Sequence, residues 1–246
     1  MTVDVVALED VSARAWPSLH RDRIGGWRLY ASTGHTGRAN TCWALEPADR
    51  PLDEALKVAD DWYAGHGLPT KFKTTDGATL PDVEPFLRAS GFSANTETQV
   101  MVGPVGGALD GVILEDQPSD AFQSILFETL YRDRADAEER LATLRRIAQP
   151  IRFARIELDG RAVACGAVAV DGEWGGVSVM RTSPDYRRRG LAERIVSALL
   201  EAAAREGATR SYLQVEAGNT GAVALYEKLG FRTAYGYRYW ARVSGA

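Results

Sequence analysis

Three consecutive arginines and a glycine, Arg187, Arg188, Arg189 and Gly190, followed by Leu191 and Ala192, carry the clearest chemical potential in the chain. Leu191, Ile195, Ala198, Leu199 and Ala202 recur at helical spacing until Gly207, so the arginines stand at a helix entry. A turn into a helix leaves backbone N–H groups without partners, and the helix dipole adds partial positive charge there. Gly190 lets a ligand approach the backbone closely, and Ala192 keeps the helix start slim. A phosphate-bearing ligand fits these features best. The segment lacks the second spaced glycine and the Lys-Ser/Thr pair of a Walker loop, and it is not Gly-x-Gly-x-x-Gly. Nucleoside triphosphate hydrolysis and dinucleotide binding are therefore disfavoured. Taken alone, the run reads equally well as a solvated helix start or an ion-pair patch.

Other chemistry-bearing residues are sparse. Cys42 and Cys165 are the only cysteines, far apart and outside any Cys-x-x-Cys or Cys/His spacing, so neither a disulfide framework nor a metal site is expected. Reduced thiols suit a cytoplasmic protein. His20, His35 and His66 all fall in the first third of the chain. A net charge of −4 over 246 residues argues against a large basic surface and hence against nucleic acid as a partner. No apolar run reaches the roughly 18 residues needed to cross a bilayer, and the N-terminus lacks a signal-type apolar core, so no membrane partner is expected. With 45% hydrophobic and 25% charged residues, the composition is that of a globular chain rather than a disordered one.

The elements that must position the arginine loop are well punctuated. Residues 151–158 and 161–170 are β-branched and apolar runs closed by Asp159-Gly160 and Asp171-Gly172, as in a meander, and a third strand is expected over 174–182. Residues 182–190 form the loop and the helix follows. Residues 210–216 are the next strand, with Leu213 and Val215 on one face and Tyr212, Gln214 and Glu216 on the other. Asn219 reads as an N-cap, Ala222, Leu225, Tyr226 and Leu229 share a helical face, and Gly230 is the C′ residue. A last strand spans 232–243. Upstream, a short strand at 112–115 precedes helices over 118–130 and 135–148.

The first half carries a weaker copy of this pattern. A helix from Leu52 ends at 65–67, a strand follows at 68–74, then a short helix at 81–92 and a strand at 96–102. Phe86-Leu-Arg-Ala-Ser-Gly91-Phe92 lies over Leu225-Tyr-Glu-Lys-Leu-Gly230-Phe231, but the arginines and their glycine have no counterpart, and Leu87 stands where Tyr226 does. Two lobes are thus expected, 1–103 and 112–246, joined by a Gly/Pro-rich linker over 104–111. Arg38 and Asn40 are expected on a strand of the first lobe, in a structural turn role or in substrate contact.

The segment SPDYRRRGLA, the strand SYLQVE and the run NTGAVALYEKLGF together resemble the Gcn5-related N-acetyltransferases, the GNAT family. The match covers about 177–231, and the elements expected over 112–240 agree with the family's order. A narrower resemblance links the phrase GGWRLYASTGHTGRAN, 25–40, to two-lobed actinobacterial members. The resemblance implies an α/β (α+β) fold: a mixed, mostly antiparallel sheet flanked by helices, with a second, degenerate lobe of the same type. Acetyl-CoA is the implied cosubstrate and a small-molecule or peptide amine the implied acceptor, in a monomer or homodimer. Arg187-x-x-Gly190-x-Ala192 matches the family signature whose amides hold the pyrophosphate, which assigns coenzyme contact to Arg187, Arg188, Arg189, Gly190, Leu191 and Ala192. Val179, Met180, Arg181 and Thr182 are the counterparts of the strand that pairs with pantetheine; Thr182 departs from the commoner valine. Asn219 is an implied coenzyme contact as well as a cap.

Acetyl transfer needs a neutral amine, a stabilised oxyanion and a proton for the departing thiolate. The resemblance assigns the proton to Tyr226, also a coenzyme contact, and a backbone N–H near Met180 could meet the oxyanion. Glu216 is the candidate base, with Glu173 and Glu128 behind it. The alternative is a non-catalytic acyl-CoA sensor or interaction module.

Overall fold

The computed structural model describes residues 3–130 and 133–242. They divide into two compact units: unit 1 takes the described residues of Met1–Val100, Glu216–Gly218 and Ala234–Ala246, and unit 2 those of Met101–Val215 and Asn219–Thr233. In chain order the first elements are α1 (Val5–Arg14), β1 (His20–Ile24), β2 (Trp27–Ala31), β3 (Cys42–Ala44), α2 (Leu52–Gly65), β4 (Lys71–Thr75), α3 (Val83–Ala89) and β5 (Phe92–Gly103). Then come β6 (Ile113–Glu115), α4 (Asp120–Thr129), α5 (Arg134–Arg146), β7 (Ile151–Leu158), β8 (Arg161–Asp171), β9 (Trp174–Thr182), α6 (Leu191–Arg205), β10 (Arg210–Glu216), α7 (Thr220–Lys228) and β11 (Arg232–Arg242). Val243, the expected end of the last strand, lies outside the described residues.

In unit 1 the strands run β1-β2-β3-β4-β11. β1 and β2 form a hairpin, β3 lies antiparallel to β2, and β4 joins β3 in parallel after the crossover through α2. Ala55, Ala59 and Tyr63, four residues apart along α2, are fully buried and turn one face onto a core of Trp27, Leu29, Phe72 and Trp240. Trp240 explains why the chain's last strand groups with unit 1, whereas the sequence placed it in a second lobe of 112–246. β11 pairs antiparallel with β4 from Tyr237↔Thr75 to Ala241↔Lys71, and the Trp240 indole N–H donates to Thr74 Oγ1 at 2.9 Å. That ladder is long-range, so no local pattern announces it.

A second departure concerns the phrase at 25–40. Arg38 is not on a strand but in a 3-10 turn, Gly37–Ala39, and Asn40 closes it. The buried Asn40 carboxamide accepts from the N–H of Ser32 (2.8 Å) and Gly34 (2.9 Å) and donates to the Thr36 carbonyl (2.8 Å). One side chain thus satisfies loop groups that a strand would have satisfied by pairing.

In unit 2 the order is β10-β9-β8-β7-β6. β6 to β9 pair antiparallel, and β10 joins β9 in parallel. The turn between β7 and β8 has φ 53° at Asp159 and 75° at Gly160, the left-handed pair a tight hairpin requires. β8 is buried from Ala162 to Val170, as a strand covered on both faces must be. Helix α6 packs on β7, β8 and β9, and α4 also covers β8. The architecture is the expected one: a mixed α/β fold with a mostly antiparallel sheet flanked by helices.

Candidate active site

The site begins with a register fault. β8 and β9 pair at Ala164↔Thr182 and Cys165↔Arg181, and the ladder resumes at Ala167↔Ser178. Val179 and Met180 therefore stand opposite Gly166 alone, a β-bulge. Val179 absorbs it with φ 46°, a backbone state rare for a β-branched residue. Gly166 makes room: a Cβ there would come within 2.5 Å of Met180 Sδ and 2.9 Å of Ile195 Cγ2. On its other side, β9 pairs with β10 only from Arg210↔Trp174 to Leu213↔Val177. The parallel ladder ends where the bulge begins, so the two strands part and the bulged edge of β9 is left open.

The chain leaves β9 through Ser183 and a 3-10 turn, Pro184–Tyr186. Arg188 has φ 60° and Gly190 φ 76°. A Cβ on Gly190 would meet nothing within 4 Å, so conformation rather than crowding calls for the glycine. Gly190 is the N-cap of α6 and offers no side-chain cap; its carbonyl accepts from Arg194 N–H at 3.2 Å. The N–H groups of Leu191, Ala192 and Glu193 in the first turn thus precede the helix's own hydrogen bonds. Glu193 would oppose an anion, but Lys228 Nζ holds its carboxylate at 2.7 and 2.9 Å.

The open strand edge, the loop and α7 enclose one cleft of about 700 Å³. Of the residues singled out by sequence, Met180, Arg181, Thr182, Arg187, Arg188, Gly190, Leu191, Ala192, Asn219 and Tyr226 line it. Three do not. Val179 is buried behind the edge. Arg189 folds back, donating to the Asp185 carbonyl at 3.2 Å and lying 4.9 Å over the Tyr186 ring. Glu216 is exposed at the end of β10, among residues grouped with unit 1. Sequence reading missed Thr129 and Leu130 at the end of α4, Tyr186, and Gly221 on α7, which also line the cleft; only their placement beside the loop could have marked the last two.

Tyr226 is 8% exposed, and burial raises its phenol pKa while the nearby Arg181 charge opposes that rise. It is neutral and protonated across the physiological range. Asn219 caps α7, its Oδ1 accepting from Ala222 N–H at 3.3 Å. Among the carboxylates, Glu128 accepts from Ser183 Oγ (2.9 Å) and pairs with Arg161 (2.7 Å), and Glu173 pairs with Arg210. Burial raises the pKa of both thiols, so Cys42 and Cys165 are protonated and poor nucleophiles. Among the described residues there is no group of three His, Cys, Asp or Glu side chains able to hold a metal, and no helix long and apolar enough to cross a membrane.

A sheet parted at a bulge beside an uncapped helix N-terminus is the architecture of GNAT-type acyltransferases. A GCN5-related N-acetyltransferase from Kribbella flavida superposes with a TM-score of 0.72 over 100% of this chain and 98% of that one, at 18% identity. Residues 2–240 match the family described as "Probable histone acetyltransferase Rv0428c C-terminal", and the chain belongs to that family. The Mycobacterium tuberculosis protein named "Probable histone acetyltransferase Rv0428c" is 31% identical over 97% of this chain and 74% of its own length. "Uncharacterized N-acetyltransferase YobR" of Bacillus subtilis is 27% identical over 93% of this chain and 94% of its own length. Fold and family are those of coenzyme A-dependent acyltransferases.

Proposed function

We propose that the protein is an N-acetyltransferase that passes an acetyl group from acetyl-CoA directly to a primary amine bound in the same complex. One observation carries the reading: the open edge of β9, the uncapped start of α6 and the Tyr226 phenol line a single cleft. Its volume of about 700 Å³ lies within the range of small-molecule sites. The donor set fits the coenzyme, since the first-turn amides of α6, with Arg187 and Arg188 beside them, suit phosphates. The unpaired edge from Val179 to Thr182 suits the amides of a pantetheine arm, which can add to a strand. The coenzyme itself supplies a thioester-activated acyl group.

The chain's own residues supply the rest. The Met180 N–H is the candidate donor to charge growing on the acyl oxygen, a fixed dipole in a partly dry cleft. Tyr226, held neutral by burial, can donate its proton to the departing sulfur. Asn219 doubles as cap and coenzyme contact. Glu216 is kept from the sequence as the candidate base, although it does not line the cleft; Glu128 and Glu173, the other two candidates, are engaged in ion pairs. The acceptor is a small-molecule amine or an amine on a peptide or protein.

Unit 1 is proposed to be a degenerate second copy of the lobe. The succession α2, β4, α3 mirrors α6, β10, α7, but α2 starts at Pro51 with Asp53 and Glu54 in its first turn, where α6 has the arginine loop.

The test is to supply acetyl-CoA with a panel of amines, peptides and lysine-bearing proteins and to follow free thiol. Coenzyme binding with no thiol release above background for any acceptor would reduce the protein to an acyl-CoA sensor. Tyr226→Phe is expected to lower kcat by about 10- to 100-fold with coenzyme affinity within about twofold. Equal loss of both would make Tyr226 a packing residue.

A further inference from the structure

Arg181 is the one cleft-lining charge that neither the anion loop nor the family's signature explains. It stands on β9 beside Met180, upstream of the 3-10 turn that leads to Arg187, and is therefore on the strand rather than among the phosphate-binding groups. Its Nη1 donates to the neighbouring Met180 carbonyl at 3.0 Å, and its buried Nε has no hydrogen-bond partner. The ionisable groups around it come from three elements: Arg140 and Asp136 on α5, Cys165 opposite it on β8, and Tyr226 on α7. Cys165 and Tyr226 are neutral, their pKa values raised by burial. Asp136 is already committed to Arg140, with Nε to Oδ1 at 2.9 Å. Among the described residues, two guanidinium groups thus share a single carboxylate in a largely buried place, and the surplus charge is on the member that lines the cleft. Burial of that unmatched charge, with Arg140's repulsion added, lowers the Arg181 pKa.

A buried charge without a counter-ion is costly, and a cleft that keeps one is built for a ligand that brings the opposite charge. We infer that Arg181 docks a carboxylate carried by one of the two reactants, close to the group transferred. This rests on the reading of the cleft as an acyl-coenzyme site. Two carriers have the same chemistry: an acceptor with its own carboxylate, such as an amino acid, or a dicarboxylic acyl group with a free distal end. A guanidinium fork meets either carboxylate bidentately.

Calorimetry on wild type, Arg181→Gln and Arg181→Lys tests this without requiring turnover. One pair of probes is succinyl-CoA against butyryl-CoA, of equal chain length. The other, with coenzyme A present, is N-acetylalanine against N-acetylalaninamide. In at least one pair the carboxylate is expected to bind wild type about tenfold or more tighter than its neutral twin. Arg181→Gln is expected to abolish that preference and Arg181→Lys to keep part of it, and the responding pair identifies the carrier. Should Arg181→Gln not fold, the reduced but surviving preference of Arg181→Lys carries the test. Equal binding within both pairs, a preference that survives Arg181→Gln, or an equal weakening of charged and neutral thioesters overturns the inference while leaving the coenzyme reading intact. Failure of wild type to bind any thioester overturns both.

Discussion

Lys73 and Glu9 form an ion pair whose side chains are both 0% exposed. Lys73 Nζ also lies 3.7 Å from the Trp43 ring centroid and 4.1 Å from that of Tyr237, while Glu9 Oε1 is buried with no hydrogen-bond partner. Burial, only partly offset by Glu9, lowers the Lys73 pKa from 10.5 to about 8. A depression of that size corresponds to about 3 kcal/mol of stability withheld at neutral pH. Lys73→Met leaves a buried carboxylate alone, and Glu9→Leu leaves a buried ammonium alone. Each is expected to cost about 3–5 kcal/mol, whereas the double variant Glu9→Leu/Lys73→Met should fall within about 2 kcal/mol of wild type or exceed it. Urea unfolding followed by tryptophan fluorescence measures this in unit 1, which holds every tryptophan except Trp174. The pH dependence has a definite sign. A lysine with a lowered folded pKa leaves the unfolded chain binding more protons between about pH 8 and 10.5, so wild-type stability should rise with pH there. It must be taken relative to the double variant, because the raised thiol pKa values of Cys42 and Cys165 act in the opposite direction. Single variants whose costs add up to that of the double within about 0.5 kcal/mol, or a flat pH difference, would refute the reasoning.

Gly166→Val should displace Met180 from its place over the bulge, lowering acetyl transfer by about tenfold or more and stability by about 1–3 kcal/mol, measured by thiol release and by melting. Arg187→Ala with Arg188→Ala should weaken coenzyme A binding by about tenfold at low salt, and the effect should shrink toward 1 M salt, as calorimetry at two ionic strengths would reveal. The same calorimetry should give one coenzyme per chain, because the start of α2 carries Asp53 and Glu54 in place of arginines. Two equivalent sites would contradict the view of unit 1 as degenerate.

The parts of the site legible in the sequence are those written in local signals. Asn219 and Gly230 bracket α7 because a cap and a left-handed C′ residue depend on near neighbours. The α6 stripe was legible for the same reason, and so was the uncapped glycine before it. The bulge was not: it needs Gly166 on one strand and Val179 on another, and neither residue departs from strand patterning in its own segment. Lys73 was equally silent, since Phe72, Lys73, Thr74 and Thr75 on β4 are all buried and no alternation separates an inward face from an outward one. At Arg38 and Asn40 the strand was wrong and the structural turn role right: the polar run lacks periodicity, and the carboxamide bonds that hold the turn leave no mark on the pattern.

The arginine loop also shows why local charge outweighs the total. The chain is acidic overall, yet on one side of the cleft Lys228 cancels Glu193 at the helix start, and on another Arg140 takes up Asp136 and leaves Arg181 unmatched. Both arrangements act in the same direction: Glu193 and Asp136 are each paired with a cation, and among the described residues no carboxylate is left to pair with Arg181. For a polyanionic coenzyme this polarity sets the end that enters the anion loop, and the bulged edge of β9 then determines how far along the cleft the thioester can reach. Arg181, next to Met180 on that edge, is the group proposed to read a carboxylate carried by the thioester or its acceptor.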